Sequence, residues 1–157
     1  TGGGVTKALS QLGEKPFYVI NGDILWLDGP APALNRLAAC WNEHDMDGLL
    51  LLHSTVEAYG YSGPGDFIID PMGKLIRRPE QQISPYLFAG VQILHPRLFE
   101  KAPQGSYSLN QLYDRSIESQ RLFGIIHDGD WFHIGTEDGL NQAERYFRQR
   151  FPGTRRR

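Results

Sequence analysis

Asp23 is the residue of this chain best placed for chemistry. It closes F-Y-V-I-N-G-D, Phe17 to Asp23, where four residues rich in β-formers run into Asn-Gly-Asp. A carboxylate in the loop after a buried strand of an α/β sheet stands where such sheets collect ligands, ready for a metal ion or a phosphate. Asn-Gly and Gly-Asp also make hairpin turns, so these residues alone fit a turn as well as a site. Ile24 to Pro30 carry no alternating return strand, which weighs against the hairpin. A second candidate lies upstream. Gly2, Gly3 and Gly4 read as a glycine-rich loop at a helix start, where free backbone N–H groups meet an anion or a nucleobase edge. Flexible loops carry such glycine runs too.

The elements that must position these residues are readable from periodicity. Val5, Ala8, Leu9 and Leu12 mark one face of a short helix ended by Gly13 and Pro16. Leu34, Leu37, Ala38 and Trp41 repeat that spacing after Pro30 and Pro32. Leu49 to His53 is a continuous apolar run, as in a strand covered on both faces. Strand, helix and strand in about forty residues form a βαβ unit, which predicts an α/β fold with a mixed, mostly parallel sheet flanked by helices. Asp70-Pro71-Met72-Gly73 is a type I turn joining two short strands. Pro85 to Leu94 is a further strand, and Ser108 with Gln111 predicts a capped helix with Leu109, Leu112, Tyr113, Ser116 and Ile117 inward. Leu122–Ile126 and Trp131–Ile134 read as the last strands. Thr136 caps a closing helix expected to bury Leu140, Ala143 and Phe147.

Composition bounds the function. A chain of 157 residues with 40% hydrophobic and 22% charged residues suits one soluble domain, residues 1–157, with a basic tail over 149–157 expected to fray. A net charge of −2 points to no nucleic acid and no anionic membrane. The single cysteine, Cys40, excludes an internal disulfide and a cysteine-based zinc site, and reads as a small buried apolar residue. No apolar run approaches the ~18 residues of a membrane span, and no signal peptide opens the chain, so the expected compartment is the cytoplasm.

Four motifs in order, T-G-G-G-V-x-K-A-L, F-x-V-I-N-G-D, P-Y-L-F-A-G-V-Q-I-L-H-P and W-F-H-I-G-T, resemble the sugar-1-phosphate nucleotidyltransferases over essentially the whole chain. The nearest kinds are the N-acetylmuramate-1-phosphate uridylyltransferases and mannose-1-phosphate guanylyltransferases. The resemblance implies a Rossmann-like nucleotide-diphospho-sugar transferase fold. It also implies an enzyme that joins a nucleoside triphosphate to a sugar 1-phosphate and releases pyrophosphate. It implies that Gly2, Gly3, Gly4 and Asn21 contact the nucleotide and that Asp23 is the catalytic metal ligand, for Mg²⁺ or another divalent cation such as Mn²⁺. It places Tyr59, Gly60, Glu80, Gly90 and Asn110 at the sugar. Such transfer is mostly positioning and charge neutralisation, which a strand-end carboxylate and exposed amides supply.

Two departures bear on this. His133 stands where the family carries the aspartate of W-x-D-x-G-T, and imidazole suits metals softer than Mg²⁺. His133 is expected beside Asp23, binding the metal or a phosphate. A ring more than ~8 Å away would exclude both roles, leaving a histidine held by backbone at a strand end. The family's N-terminal G-x-G-x-R-x-x-P-L-T loop is absent from these residues, so the chain is expected to be the C-terminal two-thirds of a catalytic domain, inactive by itself. Phe17–Ile20 is then expected to expose apolar surface and an unpaired edge. A non-catalytic binding module is the alternative reading. A glycosyltransferase is a third, for which the Asp-x-Asp matches are Asp128-Gly129-Asp130 and Asp45-Met46-Asp47.

Overall fold

The structure is a computed structural model that describes residues 2–153. Helices α1 (Gly2–Leu12), α2 (Ala33–Cys40), α3 (Asn110–Glu118) and α4 (Glu137–Arg150) surround eight strands. The strands are β1 (Phe17–Ile20), β2 (Ile24–Trp26), β3 (Gly48–Ser54), β4 (Phe67–Ile69), β5 (Leu75–Arg77), β6 (Tyr86–Leu94), β7 (Leu122–Ile126) and β8 (Trp131–His133). Six form one sheet in the order β5-β4-β6-β3-β7, with β1 on the same edge of β6 as β4, and β2 pairs β8 apart from it.

The four leucines of β3 show why this sheet lies in the middle. Leu49 and Leu51 face one side with Ala33 and Leu37 of α2, while Leu50 and Leu52 face the other with Leu109, Leu112 and Tyr113. All four are at most 1% exposed, and each buried leucine contributes about 2 kcal/mol. An unbroken apolar run thus belongs to a strand covered on both faces. The Asp70–Gly73 hairpin turn is also found, with Asp70 Oδ1 accepting the Met72 and Lys74 amides at 2.8 Å.

The mixed sheet matches expectation, but its parallel share is smaller than "mostly". Only β3–β7 is parallel among the described pairs, because β6 enters antiparallel between β1 and β3. A βαβ pattern fixes the mutual direction of its two strands and leaves open which strand lies between them. Strands β1, β3 and β7 therefore run the same way, and their carboxyl ends share one end of the sheet. Among the described residues strand β1 pairs only with β6, and its Tyr18 and Ile20 are 41% and 45% exposed. The exposed edge expected of Phe17–Ile20 is present, and the strand is not the buried one its apolar run resembles.

Three further expectations are corrected. Gly2–Gly4 form the first turn of α1 rather than a loop before it. Cys40 is exposed although it lies in line with Ala33 and Leu37, the buried residues of α2, because it is the last residue of that helix. Leu140 is exposed because the α4 stripe runs through Gly139 and Ala143, and Leu140 lies about 100° round the helix from Gly139. The Ser108–Gln111 capping box at α3 is not made: Leu109 is the N-cap, Ser108 Oγ accepts the Asn110 amide at 3.2 Å, and the Gln111 amide donates to the Ser108 carbonyl. Thr136 caps α4 as its type predicts, accepting the Gly139 amide at 3.1 Å. No described helix is long and apolar enough to cross a membrane. The tail expectation for 154–157 and Thr1 of the glycine motif lie outside the described residues.

Candidate functional site

Asp23 and His133 meet across the β2–β8 pair. Ile24 is in register with His133, so the residue before β2 and the residue ending β8 are side by side. The Ile134 amide donates to the Asp23 carbonyl at 2.9 Å and fixes that approach. His133 Nε2 then lies 3.7 Å from Asp23 Oδ2, with the carboxylate half exposed and the imidazole about a third exposed. Gly135 completes the arrangement. A Cβ there would stand 3.0 Å from His133 Nε2 and 3.2 Å from Asp23 Cβ, so only glycine leaves both side chains where they are.

This pair fits a divalent cation. A shared ion about 2.1 Å from each donor spans up to roughly 4 Å between them. Among the described residues no group of three or more His, Cys, Asp or Glu could hold a metal alone. Two protein donors suit an ion that keeps water and substrate phosphates as its remaining ligands.

Tyr59 and Gly60, expected at the sugar, lie against the same strand. The His133 amide donates to the Tyr59 carbonyl at 2.9 Å, and the Tyr59 amide donates to Trp131. The Tyr59 ring stacks on Phe132 with centroids 4.8 Å apart. Gly60 has φ 73°, and a Cβ there would sit 2.5 Å from the His133 carbonyl oxygen, so this crossing needs glycine.

Asn21, Gly90 and Asn110 gather a short way off. The Asn21 amide donates to the Gly90 carbonyl at 2.8 Å, and Gly90, at φ 77°, lets Asn21 and Ile24 close over it. Asn21 and Asn110 line a cavity of about 160 Å³ with Phe88, Gln92, Ser108, Leu109 and Tyr113. Gln92 is fully buried, its Oε1 accepts the Tyr113 hydroxyl at 2.6 Å, and its Nε2 has no partner. A buried amide donor left free beside a cavity is poised for a ligand or a water. Burial drives the Tyr113 phenol far above its ordinary pKa, against the opposing Gln92 bond. Sequence reading passed over Gln92, although a glutamine inside Y-L-F-A-G-V-Q-I-L is the signal that could have found it.

The glycines divide. Side chains at Gly2 and Gly3 would strike Tyr107 and the Gly105 carbonyl, so both serve the packing of α1 on the 105–107 segment. Gly4 faces open space and lines a shallow pocket of about 190 Å³ with Gly3, Lys7, Gly105 and Ser106. Segment 105–107 continues into Ser108–Asn110, which ties the glycines to the Asn21 cavity. Glu80 stays outside. It lies on an exposed turn whose Pro79, Glu80 and Gln82 carbonyls accept from Arg78, and its carboxylate has no hydrogen bond or ion pair among the described residues.

A wider cleft, about 680 Å³, shares only Tyr59 with this set. Asp28, Glu57, Asp128 and Asp130 line it, and four carboxylates repel phosphates. Asp128 pairs with Arg36 at 2.7 Å and Asp130 accepts the Tyr146 hydroxyl at 2.5 Å, so the Asp-x-Asp match here is engaged in structure. In the other match, Asp47 Oδ1 is held by Arg97 and Arg121.

No family model matches the chain. It is 34% identical over 144 residues to the N-acetylmuramate α-1-phosphate uridylyltransferase of Caulobacter vibrioides, covering 92% of this chain and 60% of that protein. The protein of the same name from Neisseria meningitidis is 34% identical over 146 residues, with the same coverage. Among solved structures, UDP-glucose pyrophosphorylase from Acinetobacter baumannii superposes with a TM-score of 0.71 at 18% identity, over 98% of this chain and 57% of that one. HddC from Yersinia pseudotuberculosis, complexed with GMP-PN, gives a TM-score of 0.67 at 19% identity, over 93% of this chain and 62% of that one. The motifs, the fold and these relatives agree: the chain is similar to sugar-1-phosphate nucleotidyltransferases, shares their fold, and spans about three-fifths of the length of the curated uridylyltransferases it matches.

Proposed function

We propose that this chain carries the metal- and sugar-facing part of an enzyme that joins a nucleoside triphosphate to a sugar 1-phosphate. A phosphate oxygen of the sugar 1-phosphate attacks the α-phosphorus, the α–β P–O bond breaks, and pyrophosphate leaves with that bond's electron pair. Asp23 and His133 hold a divalent cation, Mg²⁺ or a softer ion such as Mn²⁺, which supplies charge neutralisation to the phosphates. Gly4, which faces open space, and the side chain of Asn21 face the nucleotide. Tyr59, Gly60, Gly90 and Asn110 line the sugar side, and Gln92 supplies a donor from the floor of the Asn21 cavity. Glu80 enters this reading only if its turn moves inward. A nucleotide sugar made this way serves cell-wall or surface polysaccharide assembly, from the cytoplasm.

The observation that carries the reading is the 3.7 Å approach of His133 to Asp23 at the shared carboxyl end of the strands. The test is pyrophosphate release by the protein as its own gene encodes it, with a panel of nucleoside triphosphates and sugar 1-phosphates. Turnover is expected to need a divalent cation and to fall at least ~100-fold in Asp23→Asn, the scale of one lost transition-state stabiliser. Turnover that survives both chelation and Asp23→Asn overturns it. Saturable nucleotide binding with no turnover under any metal favours the non-catalytic module instead.

A further inference from the structure

The opposite end of the sheet carries a cluster of cations that the transfer reaction does not use. Asp47 precedes β3, Arg121 precedes β7, and Pro96–Phe99 form a 3₁₀ turn directly after β6. Asp23 follows the carboxyl end of β1, which runs parallel to β3 and starts level with Gly48, so the four residues of β1, about 13 Å, lie between the two regions. Arg97, Lys101, Arg115 and Arg121 line a cleft of about 320 Å³ here with Asp47, Glu100, Ser116 and Ser119. Four cations face two carboxylates.

The cations are held with donors to spare. Asp47 Oδ1 accepts Nε of Arg97 at 2.6 Å and Nε of Arg121 at 2.8 Å, which lays the two guanidiniums side by side. Backbone carbonyls of Glu43, Met46 and His44 take further N–H groups, and those of Leu98 and Lys101 fix Arg115. Among the described residues Arg97 Nη1, Arg121 Nη2, Arg115 Nε and Lys101 Nζ have no hydrogen-bond partner. Positioning without saturation is what a ready anion site requires, because the cost of ordering the side chains is met before the ligand arrives.

Two details point to a ligand. Ser116 is 2% exposed, lines the cleft, and its hydroxyl has no partner. A buried hydroxyl left unsatisfied is costly unless something fills the role. Lys101 holds φ 58°, a backbone region uncommon for lysine, at the cleft. We propose that this cleft, between the 3₁₀ turn and α3, is a second site that binds a small phosphate-bearing anion through Lys101, the free guanidinium nitrogens and Ser116 Oγ. Free phosphate, pyrophosphate and a phosphomonoester share the chemistry, and the volume accepts any of them.

The test is an amide-resolved NMR titration of ¹⁵N-labelled chain with inorganic phosphate and, separately, inorganic pyrophosphate, at ionic strength held constant with sodium chloride. Saturable shifts are expected at residues 98–102 and 115–121 with a Kd of about 1 mM, and the tighter of the two anions identifies the better source. Lys101→Gln and Ser116→Ala are each expected to weaken binding several-fold while leaving a folded spectrum. Arg115 is left intact because it also holds carbonyls. Shifts that sodium chloride alone reproduces, saturable shifts confined to residues around Asp23, or wild-type affinity in both variants would each overturn the proposal. The titration asks nothing of catalysis, so its outcome is independent of the transferase reading.

Discussion

Tyr113 on α3 and Gln92 on β6 are joined by a 2.6 Å hydrogen bond at the floor of the Asn21 cavity. The phenol is almost wholly buried, and burial raises its pKa far beyond the ordinary 10. A tyrosine that ionises readily only when unfolded stabilises the fold fully below about pH 10, and that contribution is lost as pH rises from there toward the folded value. Unfolding stability should therefore fall by up to about 1.4 kcal/mol per pH unit above pH 10. Tyr113→Phe should flatten that slope while costing about 1–2 kcal/mol at neutral pH, because the Gln92 oxygen loses its donor. Urea titrations from pH 7 to 11 on both proteins check it.

The acid side has its own reporter. His127 is 4% exposed, and burial first, then the neighbouring His53, lowers its pKa. The unfolded chain then binds the proton more readily than the folded one. Stability from this group is complete above about pH 6.5 and declines as pH falls toward the folded value. His127→Asn should shift the acid unfolding midpoint to lower pH, and a wild-type acid limb in that variant would count against the assignment.

Alanine in the α1 glycines should divide them by packing rather than by motif. Gly4→Ala meets open space and gains helix propensity, so stability should rise by about 0.5–1 kcal/mol. Gly2→Ala and Gly3→Ala drive a methyl into Tyr107 or the Gly105 carbonyl and should cost about 1–3 kcal/mol. Thermal unfolding of the three variants gives the order. If Gly4 also meets the nucleotide, its variant should be stabler and slower together.

Gly135→Ala tests the Asp23–His133 pair without touching either. The added methyl crowds His133 Nε2 and Asp23 Cβ, so the imidazole must turn away. Metal-dependent turnover should fall about 10–100-fold, the scale reported for disturbed surroundings of metal ligands, with apparent metal affinity falling alongside. Stability should change by less than about 1.5 kcal/mol, since the pair is part-exposed.

Much of this was legible in the residues. The tetraleucine of β3, the Asp70 turn, the Thr136 cap and the approach of His133 to Asp23 follow from patterns a few residues long or from the motifs' resemblance. What escaped reading depended on contacts distant in sequence. Glycine's poor helix propensity hid that Gly2–Gly4 are helical, because Tyr107, a hundred residues on, decides it. The place of β6 between β1 and β3 has no local signature. Glu80 matches by neighbourhood in the chain, but Arg78 gathers its turn into another contact.

The free flank of β1 has a consequence in solution. Its outward amides and carbonyls, beside exposed Tyr18 and Ile20, form a template that another molecule's strand can join. Residues 1–157 taken alone should therefore associate reversibly as concentration rises, through intermolecular ladders at Phe17–Ile20, and a proline or lysine at Ile20 should return them to monomers in sedimentation experiments.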